Sequence, residues 1–158
     1  MQSRTLKVKI RLEAGHSNAR SHSRVAMNIS RSVSYAVGIL LKIAQDGAGG
    51  PLTAAQISKG GKFPPRFLYR VLRRLVDAGL LRGVSGPGGG YALARAAKQI
   101  HLLEIVVAIE GPRESTQLQA VHPRYRKAID KVNAALERDQ VSMDRGLKKL
   151  TLAKMLRP

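Results

Sequence analysis

The sequence predicts a mainly α-helical protein with a small β-hairpin wing, built as a winged helix-turn-helix domain followed by a C-terminal dimerisation helix. Residues 65–78 predict a helix that is apolar on one face and rich in arginine on the other. A glycine-rich run at residues 86–91 follows closely and is typical of a hairpin tip. Apolar residues near the C-terminus repeat every three and four positions, which predicts the last long helix.

Composition narrows the class of protein before any element is considered. The 158 residues suffice for one domain with an appended element, and 28 Lys and Arg against 10 Asp and Glu give a formal net charge of +18. A charge this large favours a polyanionic partner such as DNA, RNA or an anionic membrane. No apolar run reaches the length of about 18 residues that a membrane span needs. We therefore expect no membrane partner and a cytoplasmic, nucleoid-associated protein.

Residues 1–26 differ from the rest and are predicted to be a basic, disordered N-terminal extension. Residues 6–12 alternate apolar and cationic side chains, which favours a strand if anything. Residues 16–24 are rich in Ser, Arg and His. A mitochondrial-type presequence is the alternative interpretation.

The winged helix-turn-helix domain is predicted at residues 27–112. Its first helix runs over residues 32–45 and ends at a glycine-rich segment. Thr53 and Gln56 fit a capping box, which starts a short helix that runs to about residue 59. Pro65, after a glycine turn, suits the first turn of the next helix. A short helix, a turn and a second helix make up a helix-turn-helix.

The second helix of this motif has one polar and one apolar face. The polar face consists of Arg66, Tyr69, Arg70, Arg73, Arg74 and Asp77. The apolar face consists of Leu68, Val71, Leu72 and Leu75. Such a helix is typical of one that lies in the major groove of DNA, where arginine pairs with guanine through two hydrogen bonds. From this face we expect Arg66, Tyr69, Arg70 and Arg73 to contact the groove.

Short strands at residues 80–85 and 91–93 predict the two arms of the wing. The glycine run lacks the Gly-Lys-Ser/Thr ending of a nucleotide-binding loop, so nucleotide binding is disfavoured. The predicted contacts of the wing with the flanking DNA backbone are Arg82, Gly86, Pro87, Gly88 and Gly89. The predicted phosphate contacts at helix starts are Arg31, Ser32 and Thr53.

Residues 113–158 are predicted to hold a loop, the dimerisation helix and a tail. A preceding helix at residues 100–109 ends at Gly111 and Pro112. The dimerisation helix runs from Arg124 to about Arg138. Its apolar seam needs a cover, and a second copy is the simplest one, with packing against the same domain as the alternative. The predicted dimer contacts are Tyr125, Ile129, Val132 and Leu136.

No pattern predicts a catalytic, metal or cofactor site. The chain has no cysteine, which excludes disulfides, thiol catalysis and cysteine metal sites. Its four histidines share no metal-ligand spacing and have no acidic pair beside them. No Ser/His/Asp arrangement is visible either. We therefore expect a protein that is not an enzyme and has no cofactor.

From residue 27 to about residue 112 the chain resembles the Rrf-two (Rrf2) family of bacterial winged-helix transcription factors, which includes iron–sulfur and nitric-oxide sensors. The matching motifs are residues 30–36, 68–81, 86–95, 100–107 and 108–112. The resemblance implies a homodimeric repressor or activator on a palindromic DNA site. It also implies a short terminal helix, for which residues 141–144 and 150–153 are both candidates.

Two departures from the family pattern bear on function. Cluster-binding members carry cysteines in the loop before the dimer helix, and here only His122 remains, which cannot hold an iron–sulfur cluster without thiolates. Many members have arginine just before the wing glycines, whereas this chain has Ser85. The sequence thus predicts a cluster-free, homodimeric, DNA-binding repressor with an unknown small-molecule or protein effector. The alternatives are an RNA-binding or ribosome-associated basic protein and a regulator controlled by a partner protein; a 4% aromatic content argues against RNA recognition.

Overall fold

A computed structural model describes residues 29–60, 64–112 and 117–157. The predicted N-terminal extension lies outside the described residues, as do residues 61–63 of the glycine turn. The described helices are α1 (Arg31–Asp46), α2 (Ala54–Ser58), α3 (Pro65–Asp77), α4 (Leu102–Glu110), α5 (Arg126–Lys149) and α6 (Leu152–Met155). The strands are β1 (Leu81–Val84) and β2 (Gly90–Leu93). The predicted fold class, mainly helical with a small hairpin, is confirmed.

The helix-turn-helix follows from local rules. Ser30 caps α1, since its side-chain oxygen accepts a hydrogen bond from the Val33 N–H at 3.3 Å. At α2 the predicted capping box is present: Thr53 Oγ1 accepts from the Gln56 N–H at 3.2 Å, and the Gln56 side chain accepts from the Thr53 N–H at 2.8 Å. In α3 the predicted apolar face is buried. These elements therefore form where the sequence places their caps and apolar faces.

The wing is an antiparallel hairpin attached to the segment before α2. Leu81 pairs with Leu93, and Val84 pairs with Gly90. An isolated bridge adds Leu52 to the edge of β2: the Leu52 N–H donates to the Tyr91 carbonyl at 2.9 Å, and the Tyr91 N–H donates to the Leu52 carbonyl at 2.8 Å. The bridge ties the hairpin to the start of the helix-turn-helix.

The long C-terminal helix is displaced and extended relative to the prediction. Tyr125 lies in a short 3₁₀ turn, and α5 covers 24 residues from Arg126 to Lys149 instead of ending near Arg138. It continues because its apolar positions continue: Met143 and Leu147 pack against the core. The candidate terminal helix at residues 141–144 therefore lies inside α5, and α6 matches the other candidate approximately.

The segment that follows α5 packs against the start of α4. Leu152 is fully buried, and its N–H donates to the Ile100 carbonyl at 2.8 Å. The Leu102 N–H donates to the Leu150 carbonyl, also at 2.8 Å. Because Ile100 is extended and buried in this contact, α4 begins at Leu102 and not at the predicted residue 100. Among the described helices, none is both long and apolar enough to cross a bilayer.

Candidate nucleic-acid interface

The outer face of α3 is exposed, as its helical spacing predicts. Arg66, Arg70 and Arg73 are solvent-exposed, and Tyr69 exposes 57% of its surface. The Arg73 guanidinium lies 3.9 Å from the Asp77 carboxylate, and an exposed pair of this kind contributes little stability. The face is therefore a cationic surface with one aromatic side chain, supported by a buried apolar face.

Arg70 is held in place by aromatic neighbours. Its guanidinium carbon lies 5.0 Å from the centre of the Phe67 ring, within the range of a cation–π contact. The Phe67 ring meets Tyr35 of α1 edge to face, with the ring centres 5.1 Å apart. The stack links α3 to α1 and restricts where the guanidinium can lie.

Arg70 and Ser32, predicted separately as DNA contacts, line one cleft between α1 and α3. The cleft has a volume of about 260 Å³. Its other described lining residues are Phe67, Val71, Arg74 and Ile109. We refer to this space as the α1–α3 cleft.

Arg74 is exposed, as predicted for the outer face, but it also contacts α4. Helical spacing places it beside Arg70, but its guanidinium donates a hydrogen bond to the Ile109 carbonyl at the end of α4. Spacing within one helix cannot reveal this contact, because it depends on where α4 ends. Arg74 thus fastens α3 to α4.

The start of α1 is fastened to the same end of α4. The Ser30 N–H donates to the Glu110 carboxylate at 3.1 Å. Arg31, the next residue, is exposed. Thr53, at the other predicted phosphate contact, is exposed but uses its hydroxyl and its N–H in the α2 capping box. Phosphate contacts at Arg31 and Thr53 remain predictions.

The wing tip presents backbone to solvent. Arg82, Gly86, Pro87 and Gly88 are exposed, and Gly86 and Gly88 have φ values of +95° and +75°. Gly89 is half-buried, and a Cβ there would lie 2.3 Å from the Val84 carbonyl oxygen. The turn geometry alone explains the glycines, so contact between this tip and DNA remains a prediction.

A polar network at the base of the wing was not anticipated from the sequence. The Glu104 carboxylate accepts from Arg95 at 2.7 Å and from the His101 N–H at 2.9 Å. Burial raises the pKa of Glu104, but the hydrogen bonds from the His101 backbone and from Arg95 outweigh it, so the pKa lies below its ordinary value. The ring Nδ1 of His101 lies 2.6 Å from the Lys148 carbonyl, which can only accept a hydrogen bond. The network joins the end of β2, α4 and the end of α5.

The predicted dimer residues lie on a largely exposed apolar stripe. Tyr125, Val132 and Leu136 expose 51%, 42% and 39% of their surfaces, and Ile129 is half-buried. The Asn133 side chain holds the preceding loop against α5, accepting from the Leu118 N–H at 2.9 Å and donating to the Leu118 carbonyl at 3.0 Å. The first half of α5 thus presents apolar side chains that its own described chain leaves uncovered.

Residues 29–158 match the Rrf2 family, described as iron-dependent transcriptional regulators. The chain belongs to the Rrf2 family. The match extends through α5 and α6, beyond the part that resembles the family most clearly by motif.

Individual Rrf2 relatives agree with this assignment. The chain is 33% identical to the HTH-type transcriptional regulator IscR of Cronobacter sakazakii over 93 residues, which cover 59% of this chain and 57% of that protein. The T. potens IscR structure is similar with a TM-score of 0.60 and 26% identity, covering 82% of this chain and 86% of that one. The structure of CymR, the global cysteine regulator of B. subtilis, gives a TM-score of 0.61 at 22% identity over 83% and 97% of the two chains, which shows the fold alone. The relatives named here are regulators and not enzymes, as the sequence predicts.

The family description mentions iron, but the donors in the described part of this Rrf2 chain do not fit an iron centre. The sequence contains no cysteine. Within residues 29–60, 64–112 and 117–157, no three His, Asp or Glu side chains lie close enough together to hold a metal ion. His122 is exposed, and its Nδ1 accepts from the Arg124 N–H at 3.3 Å. A lone imidazole without thiolates cannot hold an iron–sulfur cluster.

Proposed function

We propose that this Rrf2 protein is a sequence-specific DNA-binding transcriptional repressor that acts as a homodimer without an iron–sulfur cluster. The observation that carries the proposal is α3, whose inner face is buried while its outer face exposes four arginines and Tyr69. Such a helix, second in a helix-turn-helix, is suited to the major groove. A net charge of +18 supplies the long-range attraction to a polyanion.

Within this proposal the exposed residues divide by the part of DNA they contact. Arg66, Tyr69 and Arg70 in the first turns of α3 face the major groove, together with Arg73 one turn further on. Arg31 at the start of α1 contacts backbone phosphate, and the wing from Arg82 to Gly89 lies along the flanking backbone. A regulator of this kind works in the cytoplasm, on the nucleoid.

The homodimer is supported by the exposed stripe of α5. Apolar side chains spaced by three and four residues form a seam that a second helix can cover. Two-fold symmetry would then place two α3 helices on the two halves of a palindromic site. A small molecule or a protein partner is proposed as the effector, since the chain lacks the ligands for a cluster.

A salt series on operator and scrambled duplexes tests the DNA assignment. A genome-wide binding map first supplies the operator. Arg66→Ala should cost about 1–3 kcal/mol on the operator and little on scrambled DNA, because a base contact is lost. Arg31→Ala should weaken both similarly and lower the salt slope by about one, because a phosphate contact is lost. Equal losses on both duplexes for Arg66→Ala would show that α3 acts only through its charge.

Sedimentation of charge-insertion variants tests the homodimer. Val132→Glu places a carboxylate within the seam and should yield monomers. Ala134→Glu introduces the same charge at an exposed position on another face of α5 and should leave the dimer intact. A Val132→Glu protein that remains dimeric would remove the seam from the interface.

A further inference from the structure

We propose that the α1–α3 cleft is a binding site for a single phosphoryl group, formed by the Ser32 hydroxyl and the guanidinium groups of Arg70 and Arg74. Ser32, Arg70 and Arg74 come from two helices and line one space of about 260 Å³. The phosphoryl group could belong either to the DNA backbone or to free phosphate. The first source rests on the proposed DNA-binding function, and the second does not.

The Arg70 guanidinium is positioned for an anion before any ligand arrives. Its cation–π contact with Phe67 leaves the charge in place and does not consume all five N–H donors of the guanidinium. Because the edge-to-face contact with Tyr35 holds the ring, little side-chain freedom is lost on binding.

Arg74 brings a second guanidinium to the same wall. One of its five N–H donors is used by the Ile109 carbonyl, which fixes the side chain and leaves donors for a further acceptor. The charge of Arg74 is not neutralised by this bond, since a carbonyl carries no net charge.

The two acidic side chains nearest in sequence, Asp77 and Glu110, have other hydrogen-bond or ion-pair partners. Glu110 accepts from the Ser30 N–H, and Asp77 lies beside Arg73. The described residues that line the cleft include no carboxylate. Two guanidinium groups therefore line one space with no carboxylate among its described lining residues, and an anion between them would relieve their repulsion while accepting hydrogen bonds from both.

A phosphoryl group matches this donor set better than an apolar or cationic ligand. Arginine forks bind phosphate oxygens through paired hydrogen bonds, and a serine hydroxyl can donate to a third oxygen. Arg70 belongs both to the cleft and to the exposed face of α3. A backbone phosphate of DNA lying against α3 is thus one natural occupant.

The first arm of the test titrates the full-length protein with inorganic phosphate at constant ionic strength, with chloride as the reference, and follows the heat released. We expect saturable binding of one phosphate per chain. Arg70→Ala and Ser32→Ala should each raise the dissociation constant, about tenfold or more for the arginine. Lys98→Ala, which removes an exposed cation outside the cleft, should leave it unchanged. Arg74→Lys retains the charge and is used in place of Arg74→Ala, which would also lose the α4 contact.

The second arm measures duplex binding with one backbone phosphate at a time replaced by a neutral methylphosphonate. If DNA supplies the phosphoryl group, one position should weaken binding of the wild type and have no further effect on Arg70→Ala. Phosphate binding in the first arm without such a position assigns the cleft to a free phosphoryl ligand. Absence of both effects overturns the proposal. A protein that binds phosphate in the cleft but no duplex specifically would refute the DNA-binding function alone.

Discussion

Replacing Gly90 with alanine tests whether close backbone contact holds the wing against the segment before α2. A Cβ on Gly90 would lie 2.4 Å from the Leu52 carbonyl oxygen and 2.9 Å from the Thr53 nitrogen. Both neighbours are backbone atoms, so rotation of a flexible side chain cannot relieve the clash. The φ of +156° is also rare for residues with a side chain.

The expected cost follows from what must move. The methyl group fits only if the Leu52–Tyr91 bridge opens, which loses hydrogen bonds of 2.9 and 2.8 Å. Each such bond contributes a net stabilisation of about 1 kcal/mol. An unfavourable backbone conformation adds about 1–3 kcal/mol if the bridge stays partly closed. We therefore expect the free energy of unfolding to fall by about 2–4 kcal/mol.

Urea unfolding followed by circular dichroism measures the loss, with Gly88→Ala as the matched control. Gly88 has a φ of +75°, but a Cβ there meets no atom within 4 Å. Its substitution should therefore cost only the conformational strain, about 1 kcal/mol. If Gly90→Ala were no more destabilising than Gly88→Ala, the bridge would not be what holds the wing.

Three other substitutions or treatments address the C-terminal dock, acid stability and iron. Leu152→Ala should lower the free energy of unfolding in urea by about 2–5 kcal/mol, because the side chain is fully buried; a loss below about 0.5 kcal/mol would mean that α6 is not docked in solution. The pKa of Glu104 is lowered on folding, so its stabilising effect is present at neutral pH and is lost as the pH falls below the ordinary value of 4.5 and through the lowered one. Glu104→Gln should thus be less stable than the wild type at neutral pH and should lose less stability on acidification. Melting temperatures of the two proteins, measured from about pH 7 downward, test this; an equal fall with pH in both proteins would contradict it. Anaerobic reconstitution with iron and sulfide should leave the protein colourless; a stoichiometric cluster would show that ligands other than cysteine suffice.

The elements that the sequence predicts well depend on rules within a few residues. The Thr53–Gln56 capping box and Pro65 set the starts of α2 and α3 through short-range hydrogen bonds and a restricted φ. The buried face of α3 follows from helical spacing, because its apolar positions are unambiguous. Such hydrogen bonds and dihedral restrictions depend only on neighbouring residues, so the sequence alone reveals them.

The features that the prediction missed depend on which elements meet. Arg74 donates to a carbonyl that is exposed only because α4 ends at Glu110. The Asn133 side chain makes two hydrogen bonds with the Leu118 backbone, and no sequence pattern indicates this contact between α5 and the preceding loop. The end of α5 is a different case, since the apolar spacing from Leu136 to Met143 and Leu147 was visible. Extending the seam through those residues would have placed the end of the helix correctly.

The apolar stripe along α5 is buried against the core near its C-terminal end and exposed in its first half, and this division supports the proposed architecture. Leu147 is buried in the core, while Val132 and Leu136 remain exposed on the same helix. A continuous helix anchored at one end holds its other end at a fixed position relative to the core. The anchor reaches α4 through the Lys148–His101 contact, and the far end of α4 holds α3 through Arg74. In the proposed homodimer the distance between the two α3 helices would therefore be set by packed helices and not by a flexible linker, as recognition of a palindrome with a fixed half-site spacing requires.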